Sequence, residues 1–321
     1  MKFKLTLWLF AFLLSSTGMA GDKTLIRIGA LAFGTVNWEL AALNKENLLA
    51  NAGFELQIIP MANPQAGKIA LQSKAVDLIV SDWIWVSRMR AGGSDYTFYP
   101  YSNTSGALVV PADSPIQTLT ELQGKKLGIA GGELDKNWLL LQALGQRQNI
   151  ELDDAVTKVY GAPPLLNQQL LQQRIDAVIN YWHFAARLEA KGFRQILDGA
   201  EILRQLGIEE QVPSLGYVFR QSWANRHQQA IAEFLQLTAE AKDRLCRSDT
   251  TWAKIIPLTK AKDSATQDML RQRYCEGRVQ KWGKANQLAA EKIYQLLRRL
   301  SGNKLTGSSE QLQAGTFWQR D

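Results

Sequence analysis

The hydrophobic positions change period several times along the chain. Thr24–Leu31 (TLIRIGAL), Phe54–Met61 (FELQIIPM) and Asp77–Trp83 (DLIVSDW) read as short strands. WELAALNKENLLANAG, from Trp38, and PQAGKIALQSKAV, from Pro64, repeat apolar residues at helical spacing, the first stopping at Gly53. Strands alternating with helices of this length predict parallel βαβ units. YTFYPYSNTSGALVVPADS breaks the rhythm and predicts extended chain leaving one unit for another. The alternation restarts with a short helix capped by Thr118 or Thr120, the strand KKLGIA, and the turn AGGELDKNW (Ala130–Trp138) before LLLQAL. AVTKVYG, DAVINYW and VPSLGYVFR read as strands, and PPLLNQQLLQQRI and FAARLEAKGF as helices. From Ser222 to about Leu300 the pattern is helical. The tail is loop-like, with Phe317 and Trp318 expected to fold back onto the body.

Two stretches mirror each other. LQSKAVDLIVSDW (Leu71–Trp83) and LLQQRIDAVINYW (Leu170–Trp182) each carry an amphipathic helix with a basic residue at its end (Lys74, Arg174). An Asp, apolar residues, a small polar residue and a Trp then follow at equal spacing. This repetition predicts two similar α/β lobes: residues 21–108 with 217–321, and residues 109–216. Extended segments near Ala107–Pro111 and Ser214–Phe219 would join them. Ligands of open parallel sheets lie beyond the carboxyl ends of strands. That rule selects Thr35, Asn37, Trp38 and Glu39; Ser81, Asp82 and Trp83; Gly132, Asp135 and Trp138; and Asn180, Tyr181 and Trp182. Ser105, in the extended stretch, joins these candidate ligand-binding residues.

Residues 1–20 combine Lys2 and Lys4, the apolar run LTLWLFAFLLSS and the small residues TGMA, the pattern of a secretory signal peptide. The run is about 12 residues, short of the roughly 20 that span a bilayer, although an uncleaved anchor is the alternative. A soluble exported protein beginning near Gly21 is expected. Its loss of two lysines lowers the net charge from +7 to +5. The basic residues are scattered, with no basic stripe carrying stacking aromatics, which argues against nucleic-acid binding. In an oxidising compartment Cys246 and Cys275 are a candidate disulfide. Two His and two Cys without close spacing argue against a zinc centre. No cofactor is expected, and no GxSxG elbow or Cys/His pair marks a catalytic centre.

The basic-apolar leader, LxGKKLGIAGG (Leu122–Gly132), DLIVSDW and DAVINYW together resemble the substrate-binding proteins of bacterial ABC importers. The likeness is to the nitrate/sulfonate/taurine and thiamine-pyrimidine-precursor group, called NMT1/THI5-like, over roughly Leu25 to Leu300. The resemblance implies a two-lobed periplasmic binding protein fold of type II, with parallel-rich sheets flanked by helices and two hinge strands. It also implies a monomer that captures a small molecule in its cleft and delivers it to an ABC permease in the inner membrane.

The AGGELDKNW turn has the form of a phosphate cradle, but Gly128, Gly131 and Gly132 make no GxGxxG, no GK[ST] follows, and Glu133 and Asp135 repel an anion. Asp135 reads as a helix N-cap or as part of a cleft-lining turn. Trp38, Trp83, Trp138 and Trp182, with Trp85 nearby, read as packing or as flat walls for a ring, an alkyl group or a cation. Glu39, Asp82, Glu133 and Asp135 outnumber Lys136, the one base expected nearby, although each acid also reads as a solvated or capping carboxylate. That balance favours an aromatic or nitrogenous solute. A sulfonate- or nitrate-type anion binder, a periplasmic sensing or accessory protein, and an enzyme on the same fold are the alternatives. His183 reads as a packing residue.

Overall fold

The structure is a computed structural model and describes residues 23–319. The signal-peptide reading of residues 1–20 lies outside the described residues. Ten strands are described: β1 (Thr24–Leu31), β2 (Phe54–Met61), β3 (Leu78–Ser81), β4 (Tyr96–Ser102), β5 (Ala107–Val110), β6 (Lys126–Ala130), β7 (Thr157–Gly161), β8 (Ala177–Asn180), β9 (Arg194–Asp198) and β10 (Leu215–Arg220). The first seven helices are α1 (Val36–Lys45), α2 (Pro64–Gln72), α3 (Trp83–Ala91), α4 (Lys136–Arg147), α5 (Leu152–Ala155), α6 (Pro163–Leu171) and α7 (Trp182–Glu189). The helices that follow are α8 (Gly199–Gln205), α9 (Gln221–Arg226), α10 (Gln228–Arg247), α11 (Asp249–Thr259), α12 (Ser264–Glu276), α13 (Lys284–Ser301) and α14 (Asn303–Thr306).

The strands form two five-stranded sheets, β2-β1-β3-β10-β4 and β7-β6-β8-β5-β9. Each has three parallel strands whose first-formed member lies between the other two, then one antiparallel strand and a last strand antiparallel to that one. The antiparallel strand of each sheet arrives from the other half of the chain. β5 enters the second sheet and β10 returns to the first, so the segments expected to cross lie inside the sheets. The crossings fall just before them, at residues 103–106 and after α8 at residues 206–214, and the expected cuts after 108 and 216 fall within β5 and β10. We call the two sheets with their flanking helices the first and second lobes.

The mirrored sequence stretches have one physical cause. Lys74 and Gln173, each three residues before the Asp, take left-handed φ values of 64° and 56° and end their helices. The Asp77 carboxylate then accepts the Arg27 N–H of β1 at 2.9 Å, and the Asp176 carboxylate accepts the Lys126 N–H of β6 at 2.7 Å. Each Asp thereby ties the start of one parallel strand to its neighbour, and the equal spacing that follows comes from a four-residue strand and a one-residue turn before each Trp.

Both α3 and α7 open at the tryptophan that ends the repeat, so Trp83 and Trp182 begin helices. The short helix near Thr120 is a 3-10 turn without a threonine cap. Glu121 folds back instead to accept the Gln117 and Thr118 N–H groups at 2.6 and 2.8 Å. The tail does fold back: Phe98 N–H donates to Thr316 O at 2.8 Å and Trp318 N–H to Phe98 O at 2.9 Å, adding a bridge to the outer strand of the first sheet. A disulfide joins Cys246 of α10 to Cys275 of α12, with Cα atoms 5.6 Å apart. Among the described residues, no helix is long and apolar enough to cross a membrane.

Candidate functional site

The carboxyl ends of β1, β3, β6 and β8 lead into α1, α3, α4 and α7, and the starts of α3, α4 and α7, but no residue of the β1–α1 turn, reach a common space between the sheets. A cavity of about 300 Å³ there is lined by Trp83 of the first lobe, by Lys136, Asn137 and Trp182 of the second, and by Asn103, Thr104 and Ser105 of the first crossing. That size suits a small organic molecule.

Asp82 is the N-cap of α3 and accepts the Trp85 N–H at 2.9 Å through one oxygen. Its other oxygen meets two lysines. Lys136, the first residue of α4 in the second lobe, lies at 3.6 Å, and Lys68 of α2 in its own lobe lies at 4.0 Å. Burial pushes this carboxyl up, but the two lysines and the Trp85 N–H outweigh it and hold it below the usual carboxylate range. Lys68, whose ammonium lies 5.0 Å from the centre of the Trp85 ring, is lowered by burial and by Lys136 and Arg88, with Asp82 opposing. The expectation of a single base at the opening is therefore corrected. Arg204 and Arg273 line the cavity with Lys136, and Lys68 is brought to Asp82 by the docking of α2 beside β3, none of which sequence spacing reveals.

Asp135 caps α4, accepting the Asn137 and Trp138 N–H groups at 2.9 and 3.2 Å. Burial raises its carboxyl, and Lys136 and those donors pull against the rise. The preceding turn needs glycine, because Gly131 and Gly132 have φ values of 84° and 86°. Asn137, one residue past Lys136, accepts the Gly106 N–H at 3.0 Å and so fixes α4 to the crossing. A Cβ at Gly106 would stand 2.7 Å from Asn137 Nδ2 and from Asn180 O. Ser105 sits against Gly199, where a side chain would displace it.

The remaining candidates divide. Thr35 opens α1 without a side-chain cap bond, and Asn37 donates to Leu31 O at 2.7 Å to close that turn. Trp38, Trp83 and Trp138 are packed into cores at 4%, 3% and 1% exposure, leaving little ring face for a ligand. Trp182 stays partly exposed, as does Trp85. Asn180 is spent inside the second lobe, donating to Asn167 Oδ1 and Pro163 O and accepting the Tyr181 N–H. Tyr181 is exposed, and Ser81 is buried at the end of β3. Glu133 lies on the surface, paired with Lys304 at 3.4 Å.

Glu39 is not at the opening. It is buried in the first lobe, where it accepts Tyr274 Oη at 2.6 Å, Lys242 Nζ at 3.1 Å and Tyr217 Oη at 3.2 Å. Burial raises its carboxyl while Lys242 and the tyrosines hold it back, and burial lowers Lys242. Lys242 also donates to Tyr101 O at 2.6 Å. Helical periodicity in α1 put Glu39 on the buried face beside Ala42 and Leu43. Its partners come from strands and helices about 200 residues away, and no local signal announces them.

Cross-lobe contacts complete the site. Trp182 meets Trp38 and Tyr274, Arg187 donates to Thr259 O at 2.5 Å, and Arg273 of α12 pairs with Glu189 of α7. His183, next to Trp182, has an Nδ1 atom buried without a partner, and burial with Arg187 nearby lowers its pKa to about 4. Among the described residues no group of three or more His, Cys, Asp or Glu could hold a metal ion.

Two lobes of matching topology, crossed twice by the chain and open at the carboxyl ends of their parallel strands, define the two-lobed solute-binding fold. The periplasmic aliphatic sulphonate binding protein SsuA from Escherichia coli superimposes with a TM-score of 0.70 at 18% identity, over 88% of this chain and 95% of that one. The alkanesulfonate-binding protein SsuA from Xanthomonas axonopodis pv. citri, bound to MOPS, gives 0.68 at 16% identity, over 93% and 99%. An ABC transporter protein from Parabacteroides distasonis gives 0.68 at 14% identity, over 93% and 100%. The chain belongs to the NMT1/THI5-like family, whose pattern matches residues 40–247. No curated protein matches the sequence.

Proposed function

We propose that the protein is a periplasmic solute-binding component of an ABC importer and captures a small organic anion between its lobes. The observation that carries this reading is the pair of lysines, Lys68 and Lys136, that converge from the two lobes on Asp82, with Lys136 itself lining the cavity and Asp82 adjoining the cavity-lining Trp83. Around Asp82 two ammonium groups face one carboxylate, a local excess of one positive charge, while elsewhere the cavity lining sets Arg204 and Arg273 against Asp198, Glu209, Glu210 and Glu276. Because Lys136 belongs to one lobe and Lys68 to the other, an anion between them binds the closed arrangement best and shifts the population toward it. The sulfonate ligands named for the similar structures fit this charge. Delivery to a membrane permease, which family membership supports, export by the residue 1–20 leader and action as a monomer are further parts of the same proposal.

The aromatic or nitrogenous preference keeps narrower support. Trp182 and Trp85 retain exposed ring surface, and Asp82 and Asp135 can accept from N–H groups. An amino-sulfonate would use both features. Glu39 no longer counts toward a cationic ligand, because Lys242 already neutralises it. A thermal-shift screen of the folded protein lacking residues 1–20 tests the reading with short sulfonates, amino-sulfonates, nitrate, pyrimidines and amines. Stabilisation by sulfonates is expected, roughly 2.7 kcal/mol at 100 times the dissociation constant. Stabilisation by amines or pyrimidines alone would refute the anion assignment.

A further inference from the structure

The carboxylate between the two lysines is unusual furniture for an anion site, since it repels the ligand the lysines attract. It is also not needed in charged form for the fold: Asp82 caps α3 through one oxygen, and an uncharged Asn caps a helix about as well. Its second oxygen is turned to Lys68 and Lys136. The side chains are 21%, 34% and 14% exposed for Lys68, Lys136 and Asp82, so the Asp82 carboxylate is largely desolvated and held by its two lysines while Lys136 keeps contact with water. The only other carboxylate on the same turns and partly buried, Asp135, is aimed at the first turn of α4 through two N–H groups.

Building on the proposed anion capture, we infer that Asp82 is a specificity-determining residue that selects singly charged organic anions and rejects doubly charged ones. With Asp82 ionised, the lysine pair carries a net charge of one. A sulfonate or a monocarboxylate cancels it. Sulfate or a phosphate monoester leaves an extra negative charge in the closed cleft beside the Asp82 carboxylate. Like charge this close to a largely desolvated carboxylate works against affinity.

The test is a calorimetric comparison of ethanesulfonate with sulfate on the parent protein, on Asp82→Asn and on Asp82→Ser, both of which keep a capping side chain. The parent should prefer ethanesulfonate. Both variants should gain sulfate affinity relative to ethanesulfonate by at least tenfold. An unchanged ratio, with ethanesulfonate still bound, overturns the role of Asp82 and leaves anion capture standing. Failure of the parent and both variants to bind either anion overturns this inference together with the anion reading on which it rests.

Discussion

Trp182, the first residue of α7 in the second lobe, stands edge-on to Trp38 of α1 in the first, with ring centroids 6.0 Å apart and planes at 84°. An edge-to-face pair at this distance is worth roughly 0.5–1.5 kcal/mol beyond its burial. Trp38 is further held by Trp252 and Tyr274 at 5.6 and 5.3 Å, so the first-lobe half of the contact is rigid. Trp182 lines the cavity, which makes it both a wall of the site and a join between lobes.

Trp182→Ala should therefore weaken solute binding by about 1–2 kcal/mol, roughly 5–30-fold, and leave the ligand-free protein more open. Calorimetry gives the first quantity and small-angle scattering the second. Parent-like affinity with parent-like dimensions would mean that the ring neither touches solute nor holds the lobes.

The buried ion pair of the first lobe makes a stability prediction. Glu39→Gln leaves Lys242 charged, buried and without its carboxylate, a change that costs on the order of 3–5 kcal/mol. Pairing it with Lys242→Met should recover much of the loss, because the stranded charge is removed. Urea unfolding of the two single variants and the double variant measures the coupling. Additive losses would show that the two residues do not act as a pair.

Cys246 and Cys275 close a loop spanning 29 residues between α10 and α12. Replacing both by Ser should cost roughly 3–4 kcal/mol by the chain-entropy relation. Reductant should reproduce the loss in the parent and do nothing to the double variant, as read by unfolding midpoints with and without reductant.

The legibility of the fold follows from how local each signal is. β1, β2 and β3 were readable because buried parallel strands are short apolar runs bounded by turns. The Asp77 and Asp176 repeats mark the two lobes in the sequence alone. The capping role of Asp135 was also legible, since an acid one residue before an apolar helix has few other tasks. β9 and α8 escaped notice because Arg194–Gln205 mixes charges with apolar residues at no clear period. α3 escaped because WIWVSRMRA continues the apolar run of β3 without a break. The site was legible in outline only. Strand ends selected Asp82, Trp182 and the Asp135 turn, but Lys68, Lys242, Tyr217 and Tyr274 reach their partners through tertiary packing. Trp138 had the right position along the chain and the wrong direction, because a tryptophan at the third position of α4 faces the core.

His183 sets a pH dependence. Its folded pKa of about 4 lies below the ordinary value of 6.5, so between these values the unfolded chain binds a proton that the folded protein refuses. Stability is fully retained above about pH 6.5 and falls as the pH drops toward 4, by at most roughly 1.4 kcal/mol per unit from this group. His183→Gln should flatten that part of a stability-versus-pH curve. A curve of unchanged slope would show that His183 is not its source.

The central claim is capture of an organic anion between lobes, and Lys136 is where it is most exposed to test. Calorimetric titration of the folded protein lacking residues 1–20 with ethanesulfonate and taurine, alongside Lys136→Met, measures it directly. The account predicts saturable one-site binding to the parent by at least one of the two, weakened tenfold or more in Lys136→Met while the unfolding temperature changes little. Equal affinity in parent and variant would place the solute away from the cleft between the lobes and contradict the account.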